Sequence, residues 1–558
     1  MRRLNMRMRL VAAMMLVVSV ATAQEHKRVE VTTLYTPELA ASSKIVAPAT
    51  IADRPEIEPD IRYGINPDTW QIELEDHDFK PATAGYWDFG RARRFYTELA
   101  GGYPLASDAT LRFAAGNVRA GFFGVGVEHD GSYSPRENAL GAVRSMASSY
   151  DMRNRAYLHG GVITGCQVLE VTADYDYDIY NRYAELGDNP ARLMFHDVDL
   201  QVRYGDNFAD LTRLNFGIEA HGGYWSHVPP HFAQDRDATP EFNAGGSVRL
   251  ARAMGENVVG LRAMYDMWQS TYSSYRDMRF GITAEYSRHF GIIDLEAAIG
   301  YIYDRVRDRE KASHFVTPRL KMLFDFGLKA IVPYVELDTS VSQNGLAALY
   351  GANPYLDSHA SSNALLAMPN TRSYNLSIGF NGSAASSRLA YRLYLGANFM
   401  RDEVVWYINS VGTFGVATGS NNRLFVGAEI SYQPVGGLLI AASVYARANN
   451  SDAEYYVNDA NINADLEVEY SIKRWRFYAM GEVIGRRNWS CVADVEGATT
   501  DIFTAPLTVD LRAGISFRAS RMVEIYADGY NLLNSRIYDY AYYYRNGAGF
   551  MAGVKIDF

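Results

Sequence analysis

Cysteine is nearly absent: Cys166 and Cys491 are the only two in 558 residues, which gives neither a disulfide framework nor a zinc cluster. Long hydrophobic runs are missing too. Beyond residue 20 no stretch of about 18 apolar residues occurs, so the chain does not cross a membrane with helices. Basic charge is in the minority, with 54 Lys and Arg against 64 Asp and Glu. A nucleic-acid surface needs the opposite balance. The sequence also lacks a P-loop, an HExxH zinc motif and a Gly-x-Ser-x-Gly nucleophile elbow, so no catalytic constellation and no cofactor are implied. What it has instead is tyrosine, 40 residues against 25 Phe and 7 Trp, together with 46 glycines. With 48% apolar and 21% charged residues it is too apolar for disorder. A large β-barrel fits that profile.

Arg2, Arg3, Arg7 and Arg9 precede an apolar stretch from Leu10 to Val20, and Ala21-Thr22-Ala23 follows. Basic region, apolar core and small-x-small site in that order predict a cleavable secretory signal peptide, cut after Ala23. Cleavage removes four arginines and no acid, leaving 50 basic and 64 acidic residues and a net charge of −14. The expected product is exported and acidic.

From about residue 91 the polarity alternates with period two, segment after segment. In 507–518, Leu507, Val509, Leu511, Ala513, Ile515 and Phe517 share one face, and Asp510, Arg512 and Arg518 are among those on the other. The segments 279–287 and 465–473 behave likewise. Side chains alternate across a strand, so each segment has one apolar and one polar face. A soluble sandwich would also alternate. These segments are often 11–14 residues long, however, whereas soluble strands average about 5–6 and a tilted transmembrane strand needs roughly 9–11. Aromatics crowd the segment ends: Tyr175, Tyr177 and Tyr180; Tyr265, Trp268 and Tyr272; Tyr542, Tyr543 and Tyr544. Interfacial girdles place aromatics there.

Alternation gives 22 candidate strands between 91 and 558. Long connections (131–148, 225–239, 342–371, 449–462, 488–506 and 533–546) follow odd-numbered strands, and tight ones such as 383–386 and 434–437 follow even-numbered ones. Short periplasmic turns and long extracellular loops have this parity. The segment 387–409 is read as one long strand across Arg401-Asp402, because splitting it would break the parity. In hydrocarbon an unpaired sheet edge costs several kcal/mol per group, so the sheet must close. The expected fold is therefore all-β: a transmembrane antiparallel barrel of about 22 strands over 91–558.

The chain ends Met551-Ala-Gly-Val-Lys-Ile-Asp-Phe558, with Phe550, Ala552, Val554, Ile556 and Phe558 on one outward face. Gly553, Ile556 and Phe558 resemble the C-terminal signal by which the barrel-assembly machinery captures outer-membrane barrels; Met551 stands where that signal prefers a polar residue. Asn531-Leu-Leu-Asn534, the tyrosine-rich loop after it and the Gly-flanked last strand resemble the final hairpin of TonB-dependent receptors of Gram-negative bacteria, with Arg545-Asn546-Gly547 in place of the usual Pro-Gly-Arg. The resemblance implies a 22-strand barrel in the outer membrane that takes up a solute. It also implies an N-terminal plug of well over a hundred residues, yet only 24–90 is available here. Six prolines and no plug signature fall in that segment, which is read as a periplasmic tail or a reduced plug. Val29, Val31, Thr32 and Thr33 resemble a TonB-contacting segment.

Few residues suggest chemistry. His221, His227 and His231 fall in or beside one outer loop and could bind a metal, although solvated imidazoles give the same pattern. Glu73, Glu75, Asp76, His77 and Asp78 read as a solvated acidic linker or a cation site. Asp174, Asp176 and Asp178 alternate with tyrosines, as on an acidic lumen wall. The 342–371 connection, with Asn353-Pro354-Tyr355-Leu356, is too long to be filler and is expected to fold into the mouth or bind a partner. The expected function is solute binding or transport in the outer membrane, the lumen biased toward cations by its acids. The expected partners are lipid, the assembly machinery, a small solute and TonB or another envelope protein. The alternative is a non-transporting barrel acting as a scaffold or surface-binding partner in an envelope complex. Neither reading makes the protein an enzyme.

Overall fold

The computed structural model describes residues 94–117, 120–138, 145–147, 149–185, 192–228, 239–270, 275–306, 312–357, 368–384, 388–492 and 501–558. The expected signal peptide, the segment 24–90 with its TonB-like and acidic stretches, Tyr272 and His231 all lie outside the described residues.

Among the described residues, 22 antiparallel strands form one closed ring. Each strand pairs with its predecessor in the chain, and Phe95–Tyr103 pairs with the last strand, Gly549–Asp557, from Tyr96 opposite Asp557 to Tyr103 opposite Phe550. Backbone bonds from Arg94 and Phe95 to the Phe558 carbonyl, both 2.9 Å, finish the seam. Gly553 in that seam is required: an added Cβ would meet the Tyr526 ring at 2.6 Å and the Ala100 side chain at 2.7 Å. Two-residue turns close one rim, at 165–166, 255–256, 291–292 and 473–474, and Gly255 takes the left-handed conformation there (φ 65°) with open space around it. Long connections leave the opposite rim. Outer-membrane barrels turn their short connections to the periplasm, which makes the long-loop rim the outer one.

The two faces of the wall differ as the alternation predicts. Leu99, Val127, Leu261, Ile282, Ile299 and Leu424 point outward and are exposed, an apolar band that water does not tolerate and lipid solvates. Inward-facing residues pair in charged rungs: Arg112 with Glu128 at 2.6 Å, Arg155 with Asp174 at 2.5 Å, Arg249 with Glu285 at 2.8 Å and Arg319 with Asp338 at 3.1 Å. Asp174 and Asp176 stand opposite Asp199 and Asp197 on the next strand, so the acidic lumen wall is present.

The segment read as 387–409 is one strand, Leu389–Asn409, with a β-bulge between Met400 and Glu403. Asp402 sits in the bulge at φ 56°, its carboxylate 2.9 Å from the Arg372 guanidinium. The bulge absorbs the Arg401-Asp402 irregularity without a turn. Its partner strand runs Phe414–Tyr432, eight residues earlier than the 422 expected from alternation. The extra residues lie beyond the lipid band, where no apolar face is imposed.

Candidate functional site

Most fully buried large side chains belong not to the wall but to a cap at the outer rim. It is built from the residues after strand Gln167–Asn181, the residues 343–357 and 368–370, the tip of the hairpin formed by Leu389–Asn409 and Phe414–Tyr432, the paired strands Arg487–Val492 and Asp501–Ala505, and the connection 531–548. The contributing connections are spread around the ring. Tyr183, Leu356, Phe414, Trp489 and Tyr543 are each at most 2% exposed.

Local sequence explains each piece. Leu346, Leu349 and Tyr350 recur at helical spacing and are the buried face of the helix Leu346–Ala352. They pack on the wall, with Tyr350 stacked 4.7 Å from His227 and 5.4 Å from Trp225. The Glu241 carboxylate accepts from the Leu346 N–H at 2.8 Å, satisfying one free donor at the helix start. Next, Asn353 accepts from Tyr355 N–H and makes a turn that carries Tyr355 and Leu356 into the centre. Phe414 and Leu356 form a parallel bridge, and Tyr407 to Asn409 pair in parallel with Ser490 to Val492. The hairpin tips thus extend one small sheet.

At the centre the Tyr355 and Tyr543 rings stack at 3.7 Å, and Tyr183 meets Tyr543 edge-on at 5.1 Å. The Tyr183 hydroxyl donates to the Tyr544 carbonyl at 3.0 Å and accepts from the Tyr544 N–H. Tyr543 donates to Gly412 O at 3.0 Å, Tyr540 to Ala352 O at 2.7 Å, and Arg182 to Leu356 O. Connections far apart on the ring are tied to one another. Burial drives the Tyr355 and Tyr543 hydroxyls far above the ordinary tyrosine range. It also pushes Tyr540 up to about 12, with help from the Asp539 carboxylate.

Between cap and wall lies a cavity of about 740 Å³. Wall residues Asp151, Arg153, Tyr180, Asp510, Arg512 and Tyr530 line one side; Arg136, Tyr183, Tyr355, Asp539, Tyr540, Tyr543, Tyr544 and Arg545 are among those lining the other. Arg136 pairs with Asp151 at 3.1 Å, Arg512 with Asp510 at 2.7 Å, and Arg545 with Asp539 at 2.9 Å and Glu482 at 3.3 Å. Burial works against the charge on Arg136, but Asp151 and the nearby tyrosines outweigh it and raise its pKa. Arg153 lies over the Tyr180 ring at 5.9 Å, with the Tyr180 hydroxyl and the Asp178 carboxylate as its electrostatic partners.

The site residues expected from sequence are dispersed. His221 faces the lumen from a wall strand, 3.3 Å from Asp266, and His227 is buried against Tyr350, Phe195 and Trp225. Neither lies in an outer loop. Six residues apart on one strand (Asn215–Val228), they stand roughly 20 Å apart and cannot share a metal. Among the described residues no group of three or more ligating side chains could hold a metal ion. The end-of-segment aromatics divide. Tyr175 and Tyr265 are on the outer wall as a girdle requires, but Trp268 faces inward beneath Arg279, Tyr180 lines the cavity, and Tyr542 to Tyr544 belong to the cap. Strand parity, not nearness to a segment end, decides the side. Cys166 and Cys491 are both unpaired thiols.

Asn531-Leu-Leu-Asn534 has a structural role. Asn531 (φ 44°) donates from its amide to the carbonyls of Ser535 and Asn546, both at 2.8 Å, and Asn534 (φ 51°) accepts from Ala548 N–H. The two asparagines pin both ends of the connection that carries Tyr543. Sequence reasoning missed Tyr183, Phe414 and Trp489; the dense tyrosines of 538–544, of which Tyr542 to Tyr544 were read as a girdle, were the available signal.

No protein-family model matches the sequence, and no curated protein does. Solved structures do resemble it. A copper transporter, OprC, is 14% identical at a TM-score of 0.63, covering 84% of this chain and 81% of its own. The FrpB iron transporter of Neisseria meningitidis is 10% identical at 0.64, covering 84% and 82%. The pyoverdine outer membrane receptor FpvA of Pseudomonas aeruginosa is 12% identical at 0.63, covering 84% and 79%. These neighbours are transporters and receptors rather than enzymes. At such identities the likeness establishes the fold: this chain has the 22-strand barrel of the TonB-dependent receptors that its last hairpin resembles.

Proposed function

We propose that the protein is an outer-membrane barrel that binds a small solute at its outer mouth and passes it through the lumen, with the cap as the gate. In this reading residues 1–23 direct export, 24–90 form a periplasmic tail or reduced plug, and Val29, Val31, Thr32 and Thr33 contact TonB. Gly553, Ile556 and Phe558 deliver the last strand to the assembly machinery. The observation that carries the proposal is the aromatic cap joined across the mouth with a polar cavity against it, in a fold shared with transporters. A barrel whose only task was to anchor a partner would have no need of that cavity.

Conductance in planar lipid bilayers tests it. The full chain is expected to be closed. Replacing 343–370 by a short Gly-Ser linker and removing 24–90 in the same protein is expected to open a steady pore. If that double variant folds, as shown by heat-dependent gel mobility, and remains sealed, the transport reading fails and the scaffold reading replaces it.

A further inference from the structure

Resting on the reading of the cap as a gate, we propose that the wall itself parts when the cap moves: the strands Ser313–Phe324 and Val332–Ser342 separate over their outer halves and open the lumen sideways to the lipid. These two strands share four paired residues, from Leu320 opposite Leu337 to Leu323 opposite Tyr334. On their other sides the same strands pair over twelve and eleven residues. Their common ladder therefore stops while both strands continue toward the outer rim, and 313–319 and 338–342 run on without pairing to each other.

Pro318 explains where the ladder stops. The register continued outward puts Pro318 opposite Thr339, and a proline has no N–H to give; within sheets it is confined to edges and bulges. From its midpoint outward this strand behaves as an edge. Side chains bridge the break in place of the ladder. The Thr339 hydroxyl donates to Pro318 O at 2.7 Å, and that of Tyr374, one strand further on, donates to Val316 O at 3.3 Å. From the other side Arg279 donates to Val341 O at 3.1 Å. Arg319 pairs with Asp338 at 3.1 Å, and Arg372 lies over the Phe315 ring at 5.5 Å. Each of these five links can let go by rotation about side-chain bonds, whereas a backbone ladder must come apart as a row.

The root of the cap lies over the same break. The connection 343–370 leaves after Ser342 and returns at Thr371, so both its ends stand on one side. Asn344 ties them together, its N–H on Asn370 Oδ1 at 3.1 Å and its amide on Pro369 O at 2.7 Å. Asn370 then reaches across, donating to both Asp304 carboxylate oxygens at 2.9 Å. Asn370, Asp304 and Arg279 are all buried. What holds the root of the cap down also holds the break shut, and lifting 343–370 undoes both. The break faces lipid at the exposed Val316 and the lumen at Arg319 and Asp338. Opening it joins a polar lumen to hydrocarbon, a route that suits a solute with an apolar part.

Distances between nitroxide labels on the lipid-facing side, measured by pulsed electron resonance in lipid nanodiscs with Cys166 and Cys491 replaced by serine, test the proposal. The pair Ile282→Cys and Phe399→Cys spans the break; the pair Ile218→Cys and Val316→Cys spans as many strands without crossing it, and all four positions are exposed. Two changes are made in turn: Thr339→Val with Tyr374→Phe, which removes two bridging hydroxyls, and replacement of 343–370 by a Gly-Ser linker. Each is expected to lengthen the first distance by about 5 Å, one strand spacing, and to leave the second where it was. The double substitution is nearly isosteric and carries the test alone if the linker variant does not fold. A first distance unchanged by every folded variant, or an equal change in both distances, overturns the proposal. A pore that conducts with the first distance fixed sinks lateral parting alone; parting in a barrel that never conducts sinks transport and leaves the moving wall standing.

Discussion

The wall and the cap solve opposite problems with the same amino acids. The wall turns Leu261, Ile299 and Leu424 outward, and among the described residues its buried apolar side chains, such as Ile302, Phe315 and Tyr334, form no cluster of their own. Its cohesion comes from continuous backbone pairing around the closed ring. The cap gathers Leu346, Leu356, Phe414 and Tyr543 into a core that would not look strange in a soluble domain. Such a core depends on packing and on neutral tyrosines, neither of which the wall needs. The two regions should therefore fail under different perturbations, and the cap should fail first.

Alkali draws the sharpest line between them. Tyr540 and Tyr542 are pushed up to about 12, Tyr542 by burial and then by Cys491 and Asp501. A hydroxyl whose pKa is raised on folding stabilises the folded form fully below its unfolded value, about 10, and loses that contribution as pH rises through the folded value. Between pH 10 and 12 the connections 343–357 and 531–548 should become cleavable by added protease while the barrel keeps its heat-dependent gel mobility. A barrel that unfolds together with the cap would refute their independence. Next in size, Tyr543→Ala removes the ring stacked on Tyr355 and should destabilise the cap by about 3–5 kcal/mol, seen as faster amide exchange in the same segments and none in the wall. The reciprocal change, Leu261→Arg near the middle of the lipid band, should cost the barrel about 2–4 kcal/mol in unfolding from lipid vesicles. Arg112→Ala breaks only a solvated lumen pair and should cost less than about 1 kcal/mol.

The same contrast explains which parts of the fold are legible in the sequence. Wall strands are legible because lipid on one side and water on the other impose period two on every residue between them. That rule located 257–270 to the residue and kept 389–409 in one piece across its bulge. It failed at 414–421, where Thr418-Gly419-Ser420-Asn421 lies above the band and neither face is held apolar. The cap obeys no local period. Tyr183 and Tyr544 are 361 positions apart in the chain, and nothing near either residue announces the other. Only the helix face of Leu346, Leu349 and Tyr350 and the turn-forming Asn353-Pro354 carry a local signature. For the same reason His221 and His227 looked like neighbours in sequence and are far apart on their strand.

The seam between Phe95–Tyr103 and Gly549–Asp557 has a consequence in time. The two strands that lock the circle are the earliest and the latest of the 22 to be synthesised. Until the latest one exists, the earliest is left with a row of hydrogen-bonding groups and no neighbour, the arrangement most prone to pairing with a stranger. Whatever escorts the polypeptide has to shield that strand until its counterpart emerges, and the circle can be locked only by the residues that arrive last.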